Sequence, residues 1–569
     1  MPALGNSPNI LEGDRQTFGR LYVSLGGSGI KYVDASAIVT WDGGTGGTGT
    51  SWNTAANWNP DTVPPTWAIV TFTDTGLAGG KIISLDANQT INSLDIQSIT
   101  NFTLGSSAAY TLSLIDLKRE DVAGTEATQT LAAPVTLLSN GTWQIDGSAA
   151  FVVSGGVAGA FGLTKTGSGE LDLGATSYTG DTTVLAGTLK AIAANAILGN
   201  LAVGGGTSAA VFDGSGQSNA IANSKNVSVL TNGTVTLGSA ENINALIVNG
   251  GTFNTNYSYV NGSITMTGGV IGGAGAIYGT HSSITTLASA TMAMFNVANN
   301  IYNFANSTYN IADGAAVVDL KVNGALLAGG AGYSISKTGA GLMMLTAASS
   351  QADANFNVTN GMLLVNNATG SGTGKSAVNV SATTANATLG GTGIIGGVST
   401  YTAANVSLTG SAGFTATLAP GSVDETTGAH IIGTLTVGSA TQANNVTFNN
   451  FSTLATAISG TTNDRLTING NLTIVAGATL AITGTPTAAS YTLASWTGTR
   501  TGTFATLTGV PSGYTIVYNA NSITLQQTGA AAPKKNHKAV QSNSLVTATF
   551  SNTQIGSDEL KKKELIQSR

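Results

Sequence analysis

Two stretches of this chain, LTKTGSGELDL at 163–173 and ISKTGAGLMML at 335–345, carry the same lysine, threonine and paired glycines 172 residues apart. Each leads through a further glycine into another strand-like piece, TTVLAGTLKA in the first case and NVTNGMLLV in the second. Gly169 precedes Gly187 by 18 residues, and Gly341 precedes Gly361 by 20. Strand–turn–strand units that restart about every 20 residues fit one coil of a solenoid, in which each strand pairs with its equivalent in the coils above and below. Isolated hairpins would not need a fixed offset.

The rest of the chain keeps the same rhythm from about residue 68 to 527. Pieces such as VSVLTNGTVTLG (227–238), SITMTGGVIGG (263–273) and LTINGNLTIVAGATLAITG (466–484) alternate apolar and polar residues, then break at Gly or Asn. Alternation with period two gives one buried and one solvated face, and the breaks fall where a positive φ is cheap. No segment sustains helical spacing for three turns. The fold expected is all-β, dominated by an elongated right-handed parallel β-helix, or β-solenoid. At about 20 to 25 residues per coil, it would hold about 18 to 22 coils and extend roughly 90–105 Å at about 4.8 Å per strand spacing.

Composition supports this reading and excludes others. Only 8% of residues are charged, against roughly 25% in an ordinary soluble protein, as expected where like charges would otherwise lie one above another at the strand spacing. With 42% apolar residues the chain is too hydrophobic for disorder. There is no Cys, so neither a disulfide framework nor a thiolate metal site is available. The formal net charge is −6; residues 531–569 hold seven Lys/Arg against three Asp/Glu, which leaves the long body acidic and a poor partner for nucleic acid. No run of about 18 apolar residues suggests a membrane-spanning helix, and the opening residues MPALGNSPNILEGDRQTFGR lack the shape of a secretory signal.

The pieces KTGSGELDL…YTGDTTVLAGTL resemble the autotransporter-associated β-strand repeat of bacterial surface and passenger proteins. WDGGTGGTGTSWNTAANWNPDTVP (41–64) is similar to the Trp-rich opening of such passengers, and VTFTDTG…NQTINSLDI (70–96) to what usually follows it. LGGTGIIGG (389–397), NDRLTINGNLTI (463–474) and YTLASWTGTRTGTFATLTGVPSGYTIVYNANSITL (491–525) are similar to their C-terminal coils. The resemblance spans roughly residues 41–527 and implies a surface-displayed β-helix. The expected division is an attachment segment at 1–40, a Trp-rich cap at 41–67, the solenoid at 68–527, and a linker with a basic tail at 528–569. The signal peptide and translocator barrel of a self-exporting passenger are not recognised at the ends. The stretch 19–41 instead reads as two or three strands with a texture similar to that of phage virion proteins.

Chemistry has few footholds. A β-helix polysaccharide lyase or hydrolase needs two or three carboxylates on one face. His281, His430 and His537 are scattered, and Asp424 and Glu425 beside His430 form the one acid/base cluster of the rod. Asp172 and Asp181 stand nine apart in the first repeat, where the second has Met344 and Asp353. Two GxGxxG strings, Gly44 to Gly49 and Gly391 to Gly396, open no helix, and chance matches are expected in a chain with 76 glycines. No catalytic residue, metal site or cofactor is expected. Trp41, Trp52 and Trp58 are candidates for stacking on a glycan, against the plainer role of capping the solenoid core. Lys561, Lys562 and Lys563 are candidates for docking the tail.

These readings favour a non-enzymatic structural rod on a particle surface, a virion fibre or decoration protein anchored by its terminal segments. The alternative is a bacterial cell-surface adhesin or appendage subunit of the passenger type, and the third is a polysaccharide-degrading enzyme. The partners expected are proteins at a virion or cell surface, with a surface glycan and assembly into a homotrimer left open. The location expected is the virion surface or outside the cell.

Overall fold

The computed structural model describes residues 8–13, 20–25, 29–34, 37–77, 79–279, 283–328, 332–349, 353–398 and 404–529. They form strands joined by tight corners, and the alternation in the sequence is the reason. In Gly233–Leu237, GTVTL, residues alternate between buried and half-buried, and the same pattern recurs in Ala210–Gly214 and Val378–Ala382. One face of most coil strands points into a main apolar core that runs from Val39 to Leu525.

Three faces enclose that core. Among the described residues, the first long sheet stacks nineteen parallel strands from Lys81–Leu85 to Thr506–Thr508, one per coil. That count lies within the range the repeat length predicts, and at about 4.8 Å per spacing the ladder is about 86 Å long. The second long sheet runs from Ile38–Trp41 to Arg500–Thr501. The third face is assembled in pieces. Five strands run from Gln89–Thr90 to Thr176–Tyr178. A branch of Tyr257–Val260, Ala276–Gly279, Asn300–Asn303 and Ala325–Ala328 forks from the nine-residue strand Glu241–Asn249, whose two halves pair with different strands of the next coil. A last sheet begins at Ile394–Ile395 and closes with the antiparallel strands Tyr514–Tyr518 and Ser522–Gln527.

Ile38–Trp41 pairs in parallel with Ile69–Thr73, so the ladder begins well before residue 68, where the alternating pattern first becomes regular. Ahead of it, Pro8–Gly13, Arg20–Leu25 and Gly29–Asp34 form a three-stranded antiparallel meander. Among the described residues, no helix is long and apolar enough to cross a membrane.

The repeated KTG motif is a corner device. Lys165 sits at an inward rung position, below Trp143 and above Val184 in register, and Lys337 sits likewise between Tyr309 and Val358. Both side chains are fully buried. The Lys165 ammonium donates to the carbonyl oxygens of Thr166 (2.8 Å), Gly167 (2.9 Å) and Ala186 (3.0 Å). Lys337 repeats this with Thr338 (3.2 Å), Gly339 (2.6 Å) and Asn360 (2.9 Å). The three donors of each ammonium thus bind two carbonyls of their own corner and one of the next coil. Glycine is required beside them. Gly167 and Gly187 have φ of +78° and +64°, and a Cβ on Gly187 would lie 2.5 Å from the carbonyl oxygens of Gly167 and Gly169. Gly339 and Gly361 reproduce that contact in the second copy.

Other corners use side-chain acceptors. Entering the second long sheet, Asp116 accepts from the Thr142 amide (2.7 Å), Asn140 from Gly162 (2.8 Å), Asp181 from Asn200 (3.0 Å) and Asn200 from Asn226 (3.0 Å). Asn405, Asn445 and Asn471 continue the device near the far end. Each pairs a turn amide that the sheet ladder leaves without a partner. Charges that do meet on neighbouring rungs alternate in sign: Lys190 lies between Asp172 and Asp213, and Lys118 lies beside Asp95.

Replacing Lys165 by Met keeps the apolar stem and strips the donor from three carbonyls, so urea unfolding at neutral pH should show a loss of about 1–3 kcal/mol. Burial holds both lysines down at about 8, from an ordinary 10.5. Between those values the unfolded chain binds more protons than the folded one, so these two groups make stability rise as pH increases from about 8 toward 10.5. The Lys165→Met, Lys337→Met double variant should lose that slope in denaturant melts taken across this range.

Candidate functional site

The tryptophans expected to be available to a sugar are inside the protein. Trp41, Trp52 and Trp58 are all fully buried. Trp58 packs edge-on against Trp41 (4.9 Å between centroids, 88°) and Trp52 (4.7 Å, 69°), and its Nε1 donates to the Trp52 carbonyl oxygen at 2.7 Å. Phe72 stacks on Trp41 and passes the contact to Phe102. The glycan-stacking reading of these three residues is therefore corrected. Among the described residues, Ile38–Trp41 has a parallel rung on one side only, Ile69–Thr73, and the short antiparallel strand Trp58–Asn59 on the other; the indoles fill that end of the core. Trp67, by contrast, is 49% exposed. Trp58→Ala should lower stability by about 3–5 kcal/mol, which a thermal melt reports.

The acid/base cluster takes part in a strap. After the strand Ala416–Pro420 the chain leaves the first long sheet as a hairpin, Ser422–Val423 paired antiparallel with His430–Ile431. It folds back over the outer face of the preceding coils. Glu425 at its tip reaches Lys321 with both carboxylate oxygens at 2.8 Å, although Lys321 lies four rungs earlier in the register series Lys321, Met344, Leu364, Gly390, Ala419. Beneath the strap, Val318, Met344 and Leu364 are buried in a small apolar cluster of their own, packed with Val423, Val317 and Met362. These side chains lie apart from the main core, and Met344 and Leu364 stand in register where earlier coils carry Glu170, Thr188 or Thr234.

The cluster's three titratable groups hold different parts of this strap. The Asp424 carboxylate closes the hairpin turn, accepting from the amides of Thr426 (3.1 Å) and Thr427 (2.7 Å) and from the Thr427 hydroxyl; these bonds lower its pKa. Glu425 pairs with Lys321. His430 Nε2 lies 2.8 Å from Asp464, whose carboxylate also accepts from the amides of Gly433 and Ala457 (3.0 Å each) and is pushed up by burial. The sequence groups these residues because they are close along the chain, whereas Asp424 bonds within its own hairpin and the partners of Glu425 and His430, Lys321 and Asp464, come from other coils.

Which interaction holds the strap follows from the magnitudes. The Lys321–Glu425 pair is partly solvated, at 20% and 37% side-chain exposure, and such pairs contribute about 0–1 kcal/mol. Burying three large apolar side chains is worth about 1.5–3 kcal/mol each. Glu425→Gln should accordingly change stability by under about 1 kcal/mol. Replacing residues 423–431 with a short Gly–Ser bridge should instead expose Met344 and Leu364, and an apolar fluorescent dye should then bind the folded protein.

The remaining candidates do not assemble. Asp172 faces outward from the first long sheet, held up at about 6 by burial and by neighbouring Glu170, while Asp181 serves a corner amide. Gly44 to Gly49 form a short turn around Asp42 and Asn57. Gly391, Gly393 and Gly396 are corner glycines whose Cβ would collide with Val365, Asn367 and Asn444. Among the described residues, no group of three or more His, Asp or Glu could hold a metal ion. His281, His537 and the tail lysines Lys561, Lys562 and Lys563 lie outside the described residues.

One feature went unread in the sequence. Tyr257, Tyr259, Tyr278, Tyr302 and Phe304 stack along the outside of the third face. Tyr259, Tyr278 and Tyr302 are each separated by about a coil length in the chain, so only their register brings them together. Tyr259 is 40% exposed, with one ring face covered by Tyr278.

Comparison with known proteins adds one match. No curated protein is significantly similar to the chain. Residues 163–191 match the model of the Passenger-associated-transport-repeat. This segment starts with the strand that carries Lys165 and ends with Gly187–Ala191 on the next coil, so the coil built on the KTG corner is a passenger-type β-helix repeat.

Proposed function

We propose that this chain is the shaft of a bacterial surface or secreted protein of the passenger type, with a structural and adhesive role and no catalytic one. The observation that carries this reading is the passenger repeat at 163–191, set within a ladder that continues in register for nineteen strands. Two further features support it. The outer faces are built mainly from Thr, Ser and Asn, and, of the titratable groups that the sequence suggested for catalysis, Asp181 serves a corner and Asp424, Glu425 and His430 serve the strap. A rod of coils carries its load along the stacking direction and offers long side faces to partners. Attachment falls to the terminal segments, and binding of a surface glycan would use side chains other than the three buried tryptophans.

The passenger repeat favours a cell-surface protein over a virion fibre, and nothing in the geometry speaks for the fibre separately. Peptide mass spectrometry of washed cells, culture medium and purified phage particles separates the two. Recovery from the cell surface or the medium is expected. Stoichiometric recovery from particles, with none on washed cells, would replace this reading with the virion one.

A further inference from the structure

We propose that Tyr278 and Tyr302 form a site of oxidative cross-linking, where a one-electron oxidant of the peroxide–haem peroxidase class joins two successive coils through a dityrosine bond. The two residues occupy equivalent positions on neighbouring rungs of the third face, with Ala276–Gly279 paired in parallel with Asn300–Asn303 and Tyr278 directly opposite Tyr302. Their ring centroids are 4.5 Å apart and their planes differ by 4°. In a parallel in-register pair the like atoms of like side chains superimpose, so the carbons ortho to each hydroxyl lie over one another.

Geometry selects this pair. Tyr259 lies against the other side of Tyr278 at 5.0 Å and 25°, and Tyr257 at 5.7 Å and 15°. Tyr278 is therefore the common member, and Tyr302 its nearest and flattest partner. The pair Tyr491–Tyr514 is 6.3 Å apart and tilted by 52°, which keeps its ortho carbons from meeting. The stack is reachable from solvent, with Tyr257 43%, Tyr259 40% and Phe304 38% exposed. Asn300 Nδ2 donates to the Tyr302 hydroxyl at 3.1 Å and fixes that ring beside its neighbour. The chain has no Cys, so a disulfide cannot join its coils, whereas phenol coupling can.

The chemistry balances with peroxide as oxidant. Each phenol gives up one electron and its hydroxyl proton. The two phenoxyl radicals combine through their ortho carbons to make one C–C bond. The hydrogens on those carbons then pass to the oxygens and both rings regain aromaticity. Two tyrosines and one hydrogen peroxide give one dityrosine and two waters.

Tyr→Phe variants test the proposal without disturbing the stack, because phenylalanine keeps the ring and lacks the phenol. The full chain is treated with a haem peroxidase and limiting hydrogen peroxide, then analysed by dityrosine fluorescence, denaturing gel and peptide mass spectrometry. The expected result is a dityrosine signal in the monomer band, a link mapped to Tyr278 and Tyr302, and a higher unfolding temperature after oxidation. Tyr278→Phe should abolish the monomer signal, and Tyr302→Phe should reduce it to what the Tyr259–Tyr278 pair supplies. A signal confined to dimers, a link mapped to other tyrosines, no signal at all, or an undiminished signal in Tyr278→Phe with unchanged circular dichroism would each overturn it.

Discussion

Parallel backbone pairing from one coil to the next places every residue above its equivalent at about 4.8 Å, and almost everything else in this protein follows from that superposition. An inward residue must pack on inward residues, an outward charge must tolerate its neighbours, and a corner must be remade on every turn. The scarcity of charge is one consequence, and the alternation Asp172–Lys190–Asp213 is the form charge takes where it is admitted. The stacked tyrosines of the third face are another, since register alone brings Tyr259, Tyr278 and Tyr302 into line.

Corners are where such a stack is vulnerable, because the chain must turn while its amides and carbonyls remain paired. Two devices recur. Asn and Asp side chains accept from the amide of the following coil, and a buried lysine donates to three carbonyls at once. The lysine device carries a larger penalty, seen in the depression of Lys165 and Lys337 to about 8, and it appears where two glycine corners of successive coils press together. Both coils thus keep a charge inside, bound to three carbonyl oxygens of their corners.

The strap departs from this nearest-neighbour rule. Coils in a solenoid contact the coils beside them, yet Glu425 meets Lys321 across four rungs, and Val423 of the strap packs on a cluster drawn from three earlier successive coils. Stretches without such a strap can open rung by rung, whereas the coils between Lys321 and Ala419 are tied together by a cover that contacts several of them. The tryptophan cluster performs the complementary task at the start of the stack, filling the core where the short antiparallel strand Trp58–Asn59 takes the place of a parallel rung.

Much of this was legible in the sequence. Period-two alternation, glycine breaks and the offsets of 18 and 20 residues from Gly169 to Gly187 and from Gly341 to Gly361 determine a parallel solenoid with a coil count close to that observed, because each depends on local backbone preference and on a repeat visible in the sequence. The role of the repeated lysine was not legible. Read by alternation, LTKT places Lys165 on the inner face, while read by charge it belongs outside; only the three converging carbonyls of the folded corner decide between them. The tryptophans, the acid/base cluster and the tyrosine stack were undecided for the same reason. Whether an indole is covered, whether Glu425 meets a distant lysine, and whether tyrosines 19 or 24 residues apart touch all depend on which residues the coils superimpose. The sequence by itself determined the rung; the tertiary stack decided which side chains meet across rungs, because that depends on the exact length of every intervening corner.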